Sequence, residues 1–220
     1  MPERWATFDC YGTLIDWNAG IGAELERLLG GSRDDLLRRY HETEPRVQAE
    51  RPGASYREVM AAVLATLAAE DGVELPDHER DALGRSLPGW PPFPDTAPAL
   101  EECRRRGWRL AALSNTDPDF LDASERAIGV PFDAKVVASD IGSYKPAHRH
   151  WEVFRERTGA DPAFHVHVAQ SQFHDIVPAT ELGIPNVWIN RLGERPVQAP
   201  TRELPDLTRL ADTLDELVGG

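Results

Sequence analysis

The stretch FDCYGTLIDW (residues 8–17) follows a short apolar run and leads into a turn that contains a glycine. The residues WATFD (5–9) predict a buried parallel strand, because they are rich in aromatic and β-favouring side chains and end at a carboxylate. In open α/β sheets the ligand crevice lies beyond the carboxyl ends of the strands. Asp9 is therefore the first candidate for a functional residue.

Further runs of the same kind predict the rest of a parallel sheet. The clearer ones are WRLAALSN (108–115) and FHVHVAQS (164–171), and the weaker ones are AKVVAS (134–139) and NVWIN (186–190). Helical patterns that end on a glycine lie between them, over residues 95–107 and 146–159. Strand and helix alternate, which predicts an α/β fold with a Rossmann-like, doubly wound parallel sheet as its core.

Residues 15–91 break this alternation, because amphipathic helical patterns follow one another there without a convincing strand. The chain then passes through the proline-rich PGWPPFPD (88–95), and such punctuation suits a domain boundary. We therefore predict a Rossmann-like core of residues 1–14 and 92–220. A helical cap of residues 15–91 would be inserted after the first strand.

Charge and composition narrow the classes of partner. The 220-residue chain has a net charge of −13, from 37 acidic and 24 basic side chains, which argues against nucleic acid or an anionic membrane surface as a partner. No stretch approaches the roughly 20 apolar residues of a membrane span, and the first residues lack a signal-type apolar region. We therefore expect a cytoplasmic protein. Cys10 and Cys103 lack metal-site spacing, so reduced thiols are expected.

Polar side chains follow the predicted strands at the edge where a ligand would bind. Taken singly, each has a structural alternative, because Asp, Ser and Thr at strand ends often cap helices or turns, and a lone lysine is often a surface charge. Their occurrence after successive strands is harder to explain by capping alone. These residues are Asp9, Thr13, Ser114, Asn115, Lys145 and Asp175.

Four motifs in this order resemble the haloacid dehalogenase superfamily: DCYGT (9–13), SNT (114–116), YKP (144–146) and HD (174–175). The tyrosine after DC and the YKP run resemble its L-2-haloacid dehalogenase branch. The resemblance covers essentially the whole chain. It implies a hydrolase that needs no metal and no cofactor, and a small anionic haloacid as its substrate. Relatives of this architecture often dimerise, so the resemblance suggests a homodimer.

The resemblance also implies a role for each catalytic residue. Asp9 would attack C2 of a 2-haloalkanoic acid, displace halide and form an ester, and water activated by Asp175 would then release the 2-hydroxy acid. Lys145 would keep Asp9 ionised. Thr13 and Ser114 would hydrogen-bond the nucleophile and the substrate carboxylate.

A second set of residues would bind the substrate and the departing halide. The superfamily uses an arginine of the cap to receive the halide, and Arg39 is the best candidate, with Arg38 as the alternative. For either arginine a solvated helix face is the competing interpretation. The substrate-binding set implied by the resemblance is Tyr11, Arg39, Asn115, Trp151, Ser171 and His174.

Two positions argue against a magnesium phosphatase. Phosphatase members of the superfamily carry an acid two residues after the nucleophile and hold the metal with paired acids after the fourth strand. Tyr11 and Gln170 occupy these places here. Halide leaves as a stable anion without a proton, so an aromatic wall at position 11 can replace the acid and shelter the reacting carbon.

The chain also departs from the dehalogenase branch. His174 stands where an aromatic residue usually precedes the final Asp, and Trp151 stands where a tyrosine is usual. Because imidazole is smaller and can donate a hydrogen bond, we hypothesise that His174 favours a small leaving group, even fluoride. His165 and His167 share one face of a predicted strand, where hydrogen-bonded packing is favoured over metal binding.

Three other functions stay open at this point. The chain could hydrolyse another small 2-substituted or strained cyclic acid through the same ester, or it could be a phosphatase. It could also be a catalytically silent module that binds a small acid. The joint presence of Asp9, Lys145 and Asp175 argues against the silent module, because binding alone needs neither a nucleophile nor a water activator.

Overall fold

The computed structural model describes residues 2–218, and a six-stranded parallel sheet lies at its centre. The order across the sheet is β3-β2-β1-β4-β5-β6, with parallel pairing throughout. The strands are β1 (Arg4–Phe8), β2 (Trp108–Ser114), β3 (Ala134–Val137), β4 (His165–Ala169), β5 (Asn186–Ile189) and β6 (Arg202–Leu204). The predicted Rossmann-like α/β fold is confirmed, as are its five predicted strands. The sixth, β6, was missed because it is three residues long and mostly exposed.

Helices cover both faces of this sheet and form most of the remaining chain. Between β1 and β2 lie α1 (Trp17–Leu29), α2 (Arg33–Glu50), α3 (Tyr56–Glu70), α4 (Ala82–Ser86) and α5 (Thr96–Arg105). The later helices are α6 (Pro118–Ile128), α7 (Ala138–Ile141), α8 (Arg149–Thr158), α9 (Val177–Glu181) and α10 (Leu210–Val218). Among residues 2–218, no helix combines the length and apolarity that crossing a membrane requires.

Side chains of the central strand β1 alternate between two hydrophobic cores. Ala6 and Phe8 belong to the larger core, which continues without a break into α1, α2 and α3. Trp5 belongs to the second core and meets Phe154 of α8 edge to face, with ring centroids 5.3 Å apart. Because Thr7 shares the strand face of Trp5, its hydroxyl is buried on the α8 side.

The chain leaves the sheet after β1 and returns to it before α5 at neighbouring points. The backbone N–H of Asp16 donates to the carbonyl of Pro91 at 2.9 Å, and that of Phe93 donates to the carbonyl of Leu14 at 3.0 Å. No strand lies between Trp17 and Gly89, as the helical pattern of this part of the described chain predicts. The division into a core and a cap of residues 15–91 stays a prediction.

Candidate active site

The polar residues that follow β1 and β4 meet at the ammonium group of Lys145. Lys145 Nζ lies 3.0 Å from Asp9 Oδ1 and 2.6 Å from Asp175 Oδ1, and it donates to the carbonyl of Leu113 at 2.7 Å. All three charged side chains are buried. An ammonium group has three donors, so the buried ammonium of Lys145 is fully hydrogen-bonded.

Asp9 is fixed by the backbone of β1 and by the turn that follows it. Its N–H donates to the carbonyl of Val168 in β4, at 3.1 Å. Gly12 has a φ of 89°, which a glycine adopts without strain, and the turn brings Thr13 back toward Asp9. Thr13 Oγ1 donates to Asp9 Oδ2 at 2.9 Å and accepts from the N–H of Gln170 at the same distance. Each carboxylate oxygen therefore has its own donor.

The side chain of Asn115 positions Lys145 by hydrogen bonds to the backbone of that lysine. Its side-chain amide donates to the carbonyl of Lys145 at 3.0 Å, and its carbonyl oxygen accepts from the N–H of Lys145 at 2.6 Å. This reciprocal pair ties the end of β2 to the loop before α8. Asn115 also lines the cavity described below, but both ends of its amide are already engaged.

Asp175 presents two oxygens in different surroundings. Oδ1 accepts from Lys145 and from His167 Nε2, the latter at 3.0 Å, whereas Oδ2 is buried and makes no hydrogen bond to any described residue. One oxygen is therefore held in place and the other keeps its lone pairs for a ligand or a water molecule.

A buried hydrogen-bond chain supports Asp175 from behind. Thr7 Oγ1 lies 2.9 Å from His167 Nδ1 and 2.8 Å from His165 Nε2. One assignment satisfies every link: His165 donates to Thr7, Thr7 donates to His167, and His167 donates to Asp175. The hydrogen-bonded packing predicted for the two histidines is thus confirmed. Sequence reasoning missed the contact to Asp175, although both rings share the strand face of Thr7.

The two carboxyl groups differ in acidity. Burial raises the pKa of Asp9, and the charge of Asp175 adds to this, while Lys145 and Thr13 offset part of it. Burial acts in the same direction on Asp175, but Lys145 and His167 outweigh it and hold its pKa well below the usual range. The pKa of Lys145 is raised, because its two carboxylate partners outweigh burial. The environment therefore keeps Asp175 ionised more firmly than Asp9.

A cavity of about 1010 Å³ opens beside these groups, between the carboxyl edge of the sheet and α2. Thr13 lies outside the lining and contacts the site through its hydrogen bonds to Asp9 and to the backbone of Gln170. Ser114 Oγ is buried and has no hydrogen-bond partner among the described residues, so it can serve a ligand. The predicted site residues that line the cavity are Asp9, Tyr11, Ser114, Asn115, Lys145, Ser171, His174 and Asp175.

Arg39 does not line the cavity, which corrects its prediction as the arginine of the halide site. Its guanidinium pairs with Glu70 at 2.9 Å and with Asp71 at 3.0 Å and so links α2 to the end of α3. Successive residues of a helix point about 100° apart, so Arg38 faces elsewhere and does line the cavity. Arg38 is exposed, and it is paired with Asp35 and Glu42.

Trp151 also does not line the cavity, which corrects its prediction as a substrate-binding residue. It is fully buried on the face of α8 that packs against the sheet, and its ring meets that of His167 at 5.1 Å. The physical reason is that α8 presents this face to β4 rather than to the carboxyl edge. Trp151 therefore packs behind the histidine that contacts Asp175.

His174 is neutral and keeps one ring nitrogen without a partner. Ser171 Oγ accepts from the N–H of His174 and lies 3.1 Å from Nδ1, while Nε2 is buried without a hydrogen bond to a described residue. Burial lowers the pKa of His174 to about 4. With Ser171 donating to Nδ1, the ring carries its proton on Nε2 and offers a donor.

Sequence reasoning missed several cavity residues that lie on helices between β1 and β2 rather than at strand ends, and three of these are important below. They are Trp17 on α1, Glu44 on α2 and Tyr56 on α3. The pair Tyr40 and Glu44, four residues apart, was the available signal, since residues at this spacing share a helix face.

Known proteins that are similar to this chain include haloacid dehalogenases. The model of the haloacid dehalogenase-like hydrolase family matches residues 4–183. The chain is 28% identical to an (S)-2-haloacid dehalogenase of Pseudomonas sp. strain YL, over 96% of this chain and 94% of that protein. It is also 28% identical to the (S)-2-haloacid dehalogenase 4A of Burkholderia cepacia, over 97% and 93%. A crystal structure of an L-2-haloacid dehalogenase superposes with a TM-score of 0.85 at 25% identity, covering 98% of this chain and 100% of that one.

Replacing Lys145 by methionine tests its place between the two carboxylates. Lys145→Met leaves Asp9 and Asp175 buried without a cation, so we expect the free energy of unfolding at neutral pH to fall by about 3–5 kcal/mol. Without the cation, both folded-state pKa values exceed those of the unfolded chain. The folded variant then binds protons more readily than its unfolded chain does. Its loss of unfolding free energy relative to the wild type therefore becomes smaller as the pH falls from about 8 to about 5. Urea denaturation across this range measures the change.

The chain offers a matched control in its other lysine. Lys135 pairs with Asp122 and Glu125 at the surface, so Lys135→Met should cost less than about 1 kcal/mol. Equal losses for the two variants would contradict a buried charge cluster that depends on Lys145.

Proposed function

The chain belongs to the haloacid dehalogenase-like hydrolase family, and from this premise we propose that it hydrolyses the carbon–halogen bond of a small 2-haloalkanoic acid. The observation that carries the proposal is the ammonium of Lys145 between two buried carboxylates, one after β1 and one after β4. This arrangement supplies a nucleophile, a water activator and a resident cation.

In the first step Asp9 acts as the nucleophile. One of its carboxylate oxygens forms a bond to C2 of the substrate, while the carbon–halogen bond breaks and the halide leaves with the bonding electrons. No proton is needed, so Tyr11 can occupy the position of an acid. Burial raises the pKa of Tyr11 well above its usual value, and its hydroxyl lies 3.1 Å from Ser124 Oγ. Tyr11 thus acts as an uncharged wall.

In the second step water cleaves the ester. Asp175 Oδ2 takes a proton from a water molecule, whose oxygen attacks the carbonyl carbon of the Asp9 ester. The alkyl oxygen leaves and takes up a proton, which gives the 2-hydroxy acid, and Asp9 regains its carboxylate with one oxygen from water. The balance is one substrate and one water converted to one hydroxy acid, one halide and one proton.

Substrate placement follows from the groups that line the cavity without a partner. Ser114 Oγ is suited to the substrate carboxylate and His174 Nε2 to a small halide, fluoride included. Arg38, rather than Arg39, is the arginine that can reach the departing halide from α2. Arg38 must exchange part of its contact with Asp35 or Glu42 to do so.

A cytoplasmic location and a homodimer belong to the same proposal. The reducing cytoplasm suits the buried free thiols of Cys10 and Cys103. The dimer rests on the architecture shared with dehalogenases that often dimerise, and sedimentation of the purified protein measures it.

Halide release in the presence of EDTA tests the reaction class. Lys145 already places a cation between the two carboxylates, so we expect 2-chloropropionate to lose chloride equally well with EDTA and with Mg²⁺. Asp9→Asn removes the nucleophile and should lower the rate about a thousandfold or more. Asp140→Asn, a change on the exposed surface of α7, is the matched control and should leave the rate unaltered. Phosphate release from an aryl phosphate that requires Mg²⁺, with no chloride release, would overturn the proposal.

Blocking the second step should expose the ester. Asp175→Asn keeps the size of the side chain but lowers its basicity, so ester formation continues while hydrolysis slows. We expect mass spectrometry of the variant with 2-chloropropionate to show an adduct equal to the substrate less HCl, on the peptide that contains Asp9. Normal turnover by Asp175→Asn, with no adduct, would exclude Asp175 as the water activator.

A further inference from the structure

A buried carboxyl group from α2 forms part of the wall of the cavity that the catalytic carboxylates also line. Glu44 is only 8% exposed and lines the cavity. Its Oε1 accepts from the hydroxyl of Tyr56 at 2.8 Å and from that of Tyr40 at 3.4 Å. Its Oε2 makes no hydrogen bond to any described residue. The carboxyl group is therefore held on one side and open to a ligand on the other.

Within residues 2–218, no lysine or arginine pairs with Glu44. A buried carboxylate without a cation costs free energy, and it responds by taking up a proton or by binding a positive ligand. Burial accordingly raises the pKa of Glu44 to about 7, although the hydroxyls of Tyr56 and Tyr40 favour the ionised form. A cation placed against Oε2 would relieve this cost.

Aromatic rings surround the same part of the cavity. Tyr11 and Tyr56 stack with their centroids 6.5 Å apart, and Trp17 Nε1 lies 3.5 Å from the hydroxyl of Tyr56. Tyr11, Trp17 and Tyr56 line the cavity together with Glu44. The faces of aromatic rings attract ammonium groups, most strongly where water is excluded. A carboxylate combined with several aromatic rings is a suitable surface for an organic cation.

The charges that line the cavity also favour a ligand with a positive group. Three cationic side chains line it, and each already has a carboxylate partner: Arg38 with Glu42, Lys145 with Asp9, and Arg191 with Asp95. The acidic side chains of the lining are more numerous and comprise Asp9, Asp16, Glu42, Glu44, Asp175 and Glu194. This excess of negative charge disfavours a simple anion and favours a substrate that carries a positive group as well.

We propose that the substrate is a zwitterionic 2-halo acid whose ammonium group binds Glu44 within the wall formed by Tyr11, Trp17 and Tyr56. The reacting carbon would face Asp9, and the substrate carboxylate would meet Ser114. The inference rests on the dehalogenation at C2 proposed above. It adds the chemical class of the substrate. Glu44 is a specificity-determining residue in this account, since it contacts the substrate but takes no part in bond making.

A pair of substrates with nearly the same shape tests the inference. 3-Amino-2-chloropropanoate and 2-chlorobutanoate differ only in an ammonium against a methyl group. At about pH 7.5 we expect kcat/KM for chloride release to favour the amino acid by about tenfold or more in the wild-type protein. In Glu44→Gln the ratio should fall to within about twofold of one, because the neutral amide no longer pairs with the ammonium.

A second acidic residue of α2 provides the matched control. Glu50 is exposed and does not line the cavity, so Glu50→Gln should keep the full preference. A folded Glu44→Gln protein that keeps the preference would show that Glu44 is only structural and would overturn the inference. Equal turnover of both substrates by the wild type would also overturn it, while the proposed dehalogenation would stand. The wild-type comparison is decisive even if the variant does not fold.

Binding without chemistry separates the inference from the proposed function. Calorimetry with β-alanine and with butanoate uses ligands that have no halogen to lose. Tighter binding of β-alanine to the wild type, lost in Glu44→Gln, together with no halide release from either chloro acid, would retain the cation site and reject the dehalogenation. Equal binding of the two ligands would reject the cation site.

Discussion

The ammonium group of Lys145, held between the carboxylates of Asp9 and Asp175, is the contact on which the rest of the site depends. Two carboxylates at this depth would repel each other and take up protons without a cation between them. Lys145 prevents this with three hydrogen bonds, the third to the carbonyl of Leu113 in β2. The carboxyl ends of β1, β2 and β4 are thus joined through one nitrogen atom, and Asn115 fixes the backbone of that lysine.

In the proposed mechanism the two carboxylates have different tasks, and their other contacts differ accordingly. Asp9 has a donor on each oxygen and borders the cavity, which suits the proposed attack on carbon. Asp175 is anchored through Oδ1 by Lys145 and by the chain that begins at Thr7, and it keeps Oδ2 unpaired. Unequal environments for neighbouring acids are a common basis for separate roles in catalysis. A cation supplied by the chain itself fits a leaving group that needs neither a metal nor a proton.

The sequence predicted the parts of the molecule that depend on local patterns. Apolar runs located five strands, and the rule that ligands bind beyond strand ends located the residues around Lys145. Side-chain direction on helices was harder to predict. Arg39 and its neighbour Arg38 differ only in helical phase, which packing against α3 decides, and Trp151 faces the sheet because of how α8 docks. Glu44 was missed because α2 is rich in charged residues, so that one more carboxyl group carried no signal until the fold buried it.

Attack on carbon by Asp9, followed by hydrolysis of the ester, can be tested most directly with labelled water. A single turnover of a 2-halo acid in H₂¹⁸O, with the protein in excess over the substrate, reveals the source of the new hydroxyl oxygen. If Asp9 is the nucleophile, the first hydroxy acid released carries ordinary oxygen from Asp9, and ¹⁸O appears in the carboxyl group of Asp9. Label in the product of that first turnover, with none in Asp9, would show that water attacks the substrate directly and would contradict the account.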